Sequence, residues 1–97
     1  MEKSFPLIKS AAKYKLTLAR EAQKFYDQAD TPLVRRLNRC IDQLIKNPYE
    51  HPNIKRLRGL LSGYLRYRIG EWRVVYQVDD VHQAITVMLI IHRSKAY

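Results

Sequence analysis

The stretch from Tyr64 to Val78, YLRYRIGEWRVVYQV, admits little other than a β-hairpin. Strict alternation sends Leu65, Tyr67 and Ile69 to one face of a first strand and Arg66 and Arg68 to the other. Gly70–Glu71 supplies a two-residue turn, with glycine at the first central position of a type II′ hairpin. That turn pairs Ile69 with Trp72, Arg68 with Arg73, Tyr67 with Val74 and Arg66 with Val75. Trp72, Val74, Tyr76 and Val78 then join the apolar face. Arg68 and Arg73 oppose each other on the second face, where like charges destabilise a sheet. Holding an anion accounts for that placement, and three arginines on one face suit a phosphate backbone.

A basic sheet face can also serve only solubility and edge protection. Two features point past that reading. The face carries arginine rather than lysine, with no acidic residue between. Basic residues also continue at both ends, in Lys55-Arg56-Leu57-Arg58 and in His92-Arg93-Ser94-Lys95. The net charge is +9, from 18 basic and 9 acidic residues, and residues 51–97 hold 8 basic against 3 acidic. Such an excess favours nucleic acid, an anionic surface or an acidic protein partner, and composition does not separate the three.

The 97 residues read as one domain, 1–97, with a leader over 1–12 that Pro6 keeps from being a continuous helix. Tyr14, Leu16 and Leu18 alternate with Lys13, Lys15 and Thr17 as an amphipathic strand. From Ala19 the period becomes helical, with Ala22, Phe25, Tyr26 and Ala29 on one side. Thr31 is expected to cap a second helix that starts at Pro32, has the stripe Val34, Leu37, Ile41, Leu44 and Ile45, and stops at Asn47-Pro48. Residues 48–63 read as a long connection. After the hairpin and a turn at Asp79-Asp80, residues 84–91 form a strand apolar on both faces, expected inside the sheet. The predicted class is α+β: an N-terminal strand, a two-helix hairpin, then a three-stranded antiparallel meander. The helices cover the apolar sheet face, and the face of Arg66, Arg68 and Arg73 stays open.

The single Cys40 excludes an internal disulfide and falls in a helical pattern, as a buried inert thiol would. No apolar run reaches membrane-spanning length and no secretory signal is evident, so a cytoplasmic protein without membrane contact is expected. No carboxylate cluster for a two-metal site accompanies the arginines, and no metal or cofactor is expected. His51 and His82 read as loop and turn residues; His92, beside Arg93, is better placed for function. Arginine, tyrosine and histidine suffice to cleave RNA, whose 2′-OH is a built-in nucleophile. Arginines stabilise the charge growing on phosphorus. A tyrosine among cations has its phenol pKa lowered from about 10 and can take a proton.

Leu57-Arg58-Gly59, the hairpin from Arg68 to Tyr76 and the ending His92–Tyr97 resemble the RelE/ParE toxin superfamily over about residues 13–97. Toxins of the RelE branch enter the ribosomal A site and cut mRNA without metal. By position, the resemblance implies catalytic roles for Arg66, Arg73, Arg93 and Tyr97; since arginine is a poor proton donor, His92 is the expected donor to the leaving oxygen. The basic runs at both ends of the hairpin and its arginine face make Lys55, Arg56, Arg58, Arg68 and Lys95 the expected RNA contacts. Two positions depart from the pattern: Tyr64 stands where a basic residue is usual, and Ala19 where Ser or Thr caps the first helix. The resemblance implies ribosome and mRNA as targets and a cognate antitoxin as partner in a hetero-oligomer. The alternatives are a ParE-like DNA gyrase inhibitor and a basic module that binds nucleic acid without chemistry.

Overall fold

The computed structural model describes residues 13–96, so the leader 1–12 and Tyr97 lie outside the described residues. The chain runs β1 (Lys15–Leu18), α1 (Arg20–Gln28), α2 (Thr31–Lys46), β2 (Ile54–Arg56), β3 (Leu65–Ile69), β4 (Trp72–Asp79) and β5 (Ala84–His92). Short 3₁₀ turns occupy Gly59–Leu61 and Arg93–Lys95. The strands form one sheet in the order β1-β5-β4-β3-β2. The expected strand, helical hairpin and antiparallel meander are all present. β5 is interior as its two apolar faces require, with β4 antiparallel on one side and β1 parallel on the other.

The hairpin register is the one the alternation demands, with Ile69 opposite Trp72, Arg68 opposite Arg73 and Arg66 opposite Val75. Gly70 sits at φ +55°, and Glu71 does not share that region, as a type II′ turn requires. Leu65, Tyr67, Ile69, Val74 and Tyr76 are buried against Leu37, Ile41, Leu44 and Ile45 of α2. Cys40 is in this core, and burial pushes its thiol pKa up, as befits an inert side chain. Ala19 is the N-cap of α1 and makes no side-chain capping bond.

Three expectations are corrected. Asp30, not Thr31, caps α2: its carboxylate accepts from Leu33 N at 3.0 Å, and Thr31 and Pro32 are already helical. The carboxylate reaches the third helical amide, the usual partner of a cap. The connection 48–63 hides a further strand, β2, which pairs with β3 and places Lys55 beside Arg66. Only three residues long and flanked by Pro52 and Gly59, it leaves no period to read. The sheet's second face is also not bare. Tyr76 faces Val87 but Val75 faces Leu89, so Met88 is an extra, bulged residue. Beyond it β5 reverses its faces, and Leu89 and Ile91 point with Val75 toward the arginine side. Val75 is only 3 % exposed there.

Polar ties close the far end. Tyr14 and Tyr49 each donate to one oxygen of Asp80, at 2.9 and 2.5 Å. Tyr76, fully buried, donates to Pro48 O at 2.7 Å. Tyr76→Phe removes that donor while keeping the ring and strands a buried carbonyl. The expected cost is about 1–2 kcal/mol in urea unfolding, with an unchanged dependence on denaturant concentration. Among the described residues no helix is long and apolar enough to cross a membrane.

Candidate nucleic-acid interface

The cross-strand pairs of β2, β3 and β4 bring Lys55, Arg66, Arg68 and Arg73 onto one face. Arg66 Nη1 donates to Asn53 O at 2.7 Å. Arg73 Nη1 donates to Gly70 O at 2.9 Å and to Trp72 O at 3.0 Å. These acceptors are neutral carbonyls. They orient each guanidinium through one nitrogen, leave the charge uncompensated and keep other N–H groups for a ligand. Arg68 and Lys55 are exposed. A row of positive charge with half-fixed forks is an arrangement for an oxyanion.

Arg93 differs. Its Nε lies 2.7 Å from Glu71 Oε1, and its backbone N donates to Glu71 O at 2.7 Å. The pair is exposed on both sides, so it is weak and an incoming phosphate can displace the carboxylate. Sequence reading missed this partner because Glu71 lies in the hairpin turn, 22 positions before Arg93 in the chain.

His92 pairs with Trp72, so its ring falls on the helix side and not among the arginines. It packs edge-on to Trp72 at 5.1 Å, and Trp72 packs edge-on to Phe25 at 5.0 Å. His92 Nδ1 accepts from Ser94 N at 3.2 Å, which assigns the ring proton to Nε2. Nε2 lies 3.9 Å from Glu71 Oε1. Arg56, opposite Leu65, is likewise on the helix side, its guanidinium 5.2 Å above the Tyr49 ring. Arg58 precedes the first 3₁₀ turn and Lys95 lies in the last; both are exposed.

Tyrosine chemistry narrows sharply. Burial pushes up the pKa of Tyr26, Tyr67 and Tyr76. Burial and the bond to Asp80 push Tyr49 up to about 12, and the bond to Asp80 raises Tyr14. All five move the wrong way for a base at neutral pH. Tyr64 remains on the second face, in an apolar groove of about 380 Å³ with Leu61, Val75, Met88 and Leu89. That groove adjoins the basic row, and alternation in the sequence did not reveal it. Among the described residues no group of three or more His, Cys, Asp or Glu is arranged to hold a metal.

Comparison with known proteins bears on the family and the fold. The family described as "ParE toxin of type II toxin-antitoxin system, parDE" matches residues 16–97. The toxin RelE of Mycobacterium tuberculosis is 41% identical over 54 residues, 56% of this chain and 54% of that protein. The match thus spans about half the length of that curated relative. The fold is shared with the YoeB/ParE toxin from Agrobacterium tumefaciens, with a TM-score of 0.73 at 24% identity over 80% of this chain and 96% of that one. It is shared equally with a chain of the archaeal RelE–RelB complex from Pyrococcus horikoshii OT3, with a TM-score of 0.73 at 23% identity over 86% and 98%.

Proposed function

Because the chain belongs to the ParE toxin family of type II toxin–antitoxin systems, within the RelE/ParE superfamily, we propose that it acts as a ribosome-dependent mRNA endoribonuclease of the RelE kind. The observation that carries this reading is the row Lys55, Arg66, Arg68 and Arg73, whose two anchored members bond to carbonyls and keep their charge. In the proposed reaction the ribose 2′-oxygen attacks the adjacent phosphorus. The P–O5′ bond breaks, leaving a 2′,3′-cyclic phosphate and a free 5′-OH. Arg66 and Arg73 neutralise the equatorial oxygens as charge develops, an effect worth roughly 10²–10³ in rate per donor. Arg93 leaves Glu71 to join them. Tyr97, as its phenolate, takes the 2′-OH proton and becomes the neutral phenol. His92, acting as the imidazolium, gives its Nε2 proton to the 5′ oxygen and is left as neutral imidazole, for a substrate that rounds the end of β5. Arg58, Arg56 and Lys95 hold flanking phosphates at the rim, and the reaction needs neither metal nor cofactor.

A cytoplasmic antitoxin is the proposed partner. Its support is the net charge of +9, the apolar groove beside the arginine row, and structural neighbours described as toxin–antitoxin complexes. An acidic segment with apolar anchors would cover both surfaces at once.

A second reading, inhibition of DNA gyrase, has one observation in its favour: the matching family is described by ParE. Pulse-labelling of bacteria that express the chain separates the two. The nuclease reading predicts that amino-acid incorporation stops within minutes while thymidine incorporation continues. Early arrest of thymidine incorporation with protein synthesis intact would favour the gyrase reading. Co-expression of an antitoxin is expected to restore both growth and incorporation.

A further inference from the structure

The face of α2 that turns away from the core carries Arg36 and Arg39, one helical turn apart. Neither belongs to the row on the sheet. Both line a cleft of about 310 Å³ between α2 and the hairpin, and Arg68 borders it at the edge of β3. Three arginines therefore line one concavity with no carboxylate in its lining. Among the described residues none of the three is ion-paired. Like charges gathered in this way repel one another, and a bound anion relieves the cost.

The cleft is held in shape. Beyond the end of β2, Arg68 N donates to Asn53 O at 2.9 Å, and Asn53 Nδ2 returns a bond to Arg68 O at 3.0 Å. These two bonds fix the backbone of Arg68 at the lip. Opposite, the Arg36 guanidinium lies against the hairpin turn: a Cβ at Gly70 would fall 2.5 Å from Arg36 Nη2. Glycine at the turn thus gives Arg36 its place.

We infer that this cleft, with Arg36, Arg39 and Arg68 around Asn53, is a second anion site that takes a backbone phosphate of single-stranded RNA, apart from the phosphate on the sheet. The inference rests on the reading of the chain as an RNA-directed toxin. RNA fits better than an acidic protein segment, which needs apolar anchors to dock. Here the rim is arginine, and the exposed apolar groove lies elsewhere, along Leu61, Val75 and Leu89. Arg68 is shared: it stands opposite Arg73 on the hairpin and also lines the cleft. One strand of RNA crossing the edge of β3 would engage both sites and be held in register for cleavage.

The test uses an uncleavable 2′-O-methyl RNA 12-mer as probe, with fluorescence anisotropy over a range of KCl concentrations. Arg36→Gln/Arg39→Gln is expected to bind roughly tenfold more weakly near 0.1 M salt, and its salt slope should fall by about 0.7 for each phosphate the variant no longer engages. Both residues are exposed, so the melting temperature should hold. Arg73→Gln should weaken binding additively with the pair, as separate sites do. No binding of the probe by the wild type, or equal affinity and slope in the double variant, overturns the inference. Loss of poly-glutamate binding with RNA binding intact also overturns it and makes the cleft a protein site. The probe cannot be cut, so the two readings fail separately. A chain that binds RNA through the cleft yet leaves translated mRNA intact refutes only the nuclease. A chain that cuts mRNA while the double variant binds as wild type refutes only the cleft.

Discussion

Arg73→Gln is expected to abolish growth arrest while the far-ultraviolet circular dichroism stays that of the wild type. Arg73 sits opposite Arg68 on the hairpin, and its guanidinium is braced by Gly70 O and Trp72 O. Those bonds lie toward the surface, so water replaces them when the side chain is shortened and the fold loses little. The loss falls on the anion. Removing one preorganised donor from a developing oxyanion costs roughly 10²–10³ in rate, which is enough to erase toxicity. Arg73→Lys should restore only part, because lysine keeps the charge but not the planar fork. Full toxicity of the glutamine variant would remove the sheet face from the mechanism.

Tyr97→Phe is expected to slow mRNA cleavage about 100-fold or more while ribosome binding stays close to normal. The substitution keeps the ring and removes only a hydroxyl, so the melting temperature should not move. The role proposed for Tyr97 is the one the resemblance of the ending His92–Tyr97 to RelE toxins implies. Tyr14, Tyr26, Tyr49, Tyr67 and Tyr76 are all displaced toward higher pKa by burial or by bonds to other groups. A phenolate is hardest to form at those five. Tyr64, beside the arginine row in the apolar groove, is the control: Tyr64→Phe should cut at the wild-type rate. Wild-type cleavage by Tyr97→Phe would exclude its phenolate as base and leave the ring, stacked on a nucleobase, as its remaining role.

What was legible in the sequence follows physical lines. Period-2 alternation with one glycine set the hairpin, its register and its arginine face, because a slip of one residue would bury Arg66 and Arg68. Period-3.6 spacing set α2 and the burial of Cys40. Four features left no trace. β2 is too short to show a period. The bulge at Met88 is silent because Val87, Met88, Leu89 and Ile90 are all apolar, so either register looks the same. Side-chain direction at strand ends is likewise invisible, which is why His92 reads as a neighbour of Arg93 yet packs on Trp72. The cleft of Arg36, Arg39 and Arg68 joins positions about 30 apart and exists only once α2 lies along β3.

Primer extension on a reporter mRNA, after purified chain is added to a reconstituted translation system, bears most directly on the nuclease reading. A parallel supercoiling reaction with DNA gyrase completes it. Breaks confined to the translated region, absent without ribosomes and absent with Arg73→Gln, together with unimpaired supercoiling, are the predicted result. Intact mRNA with gyrase arrested on its DNA would contradict it.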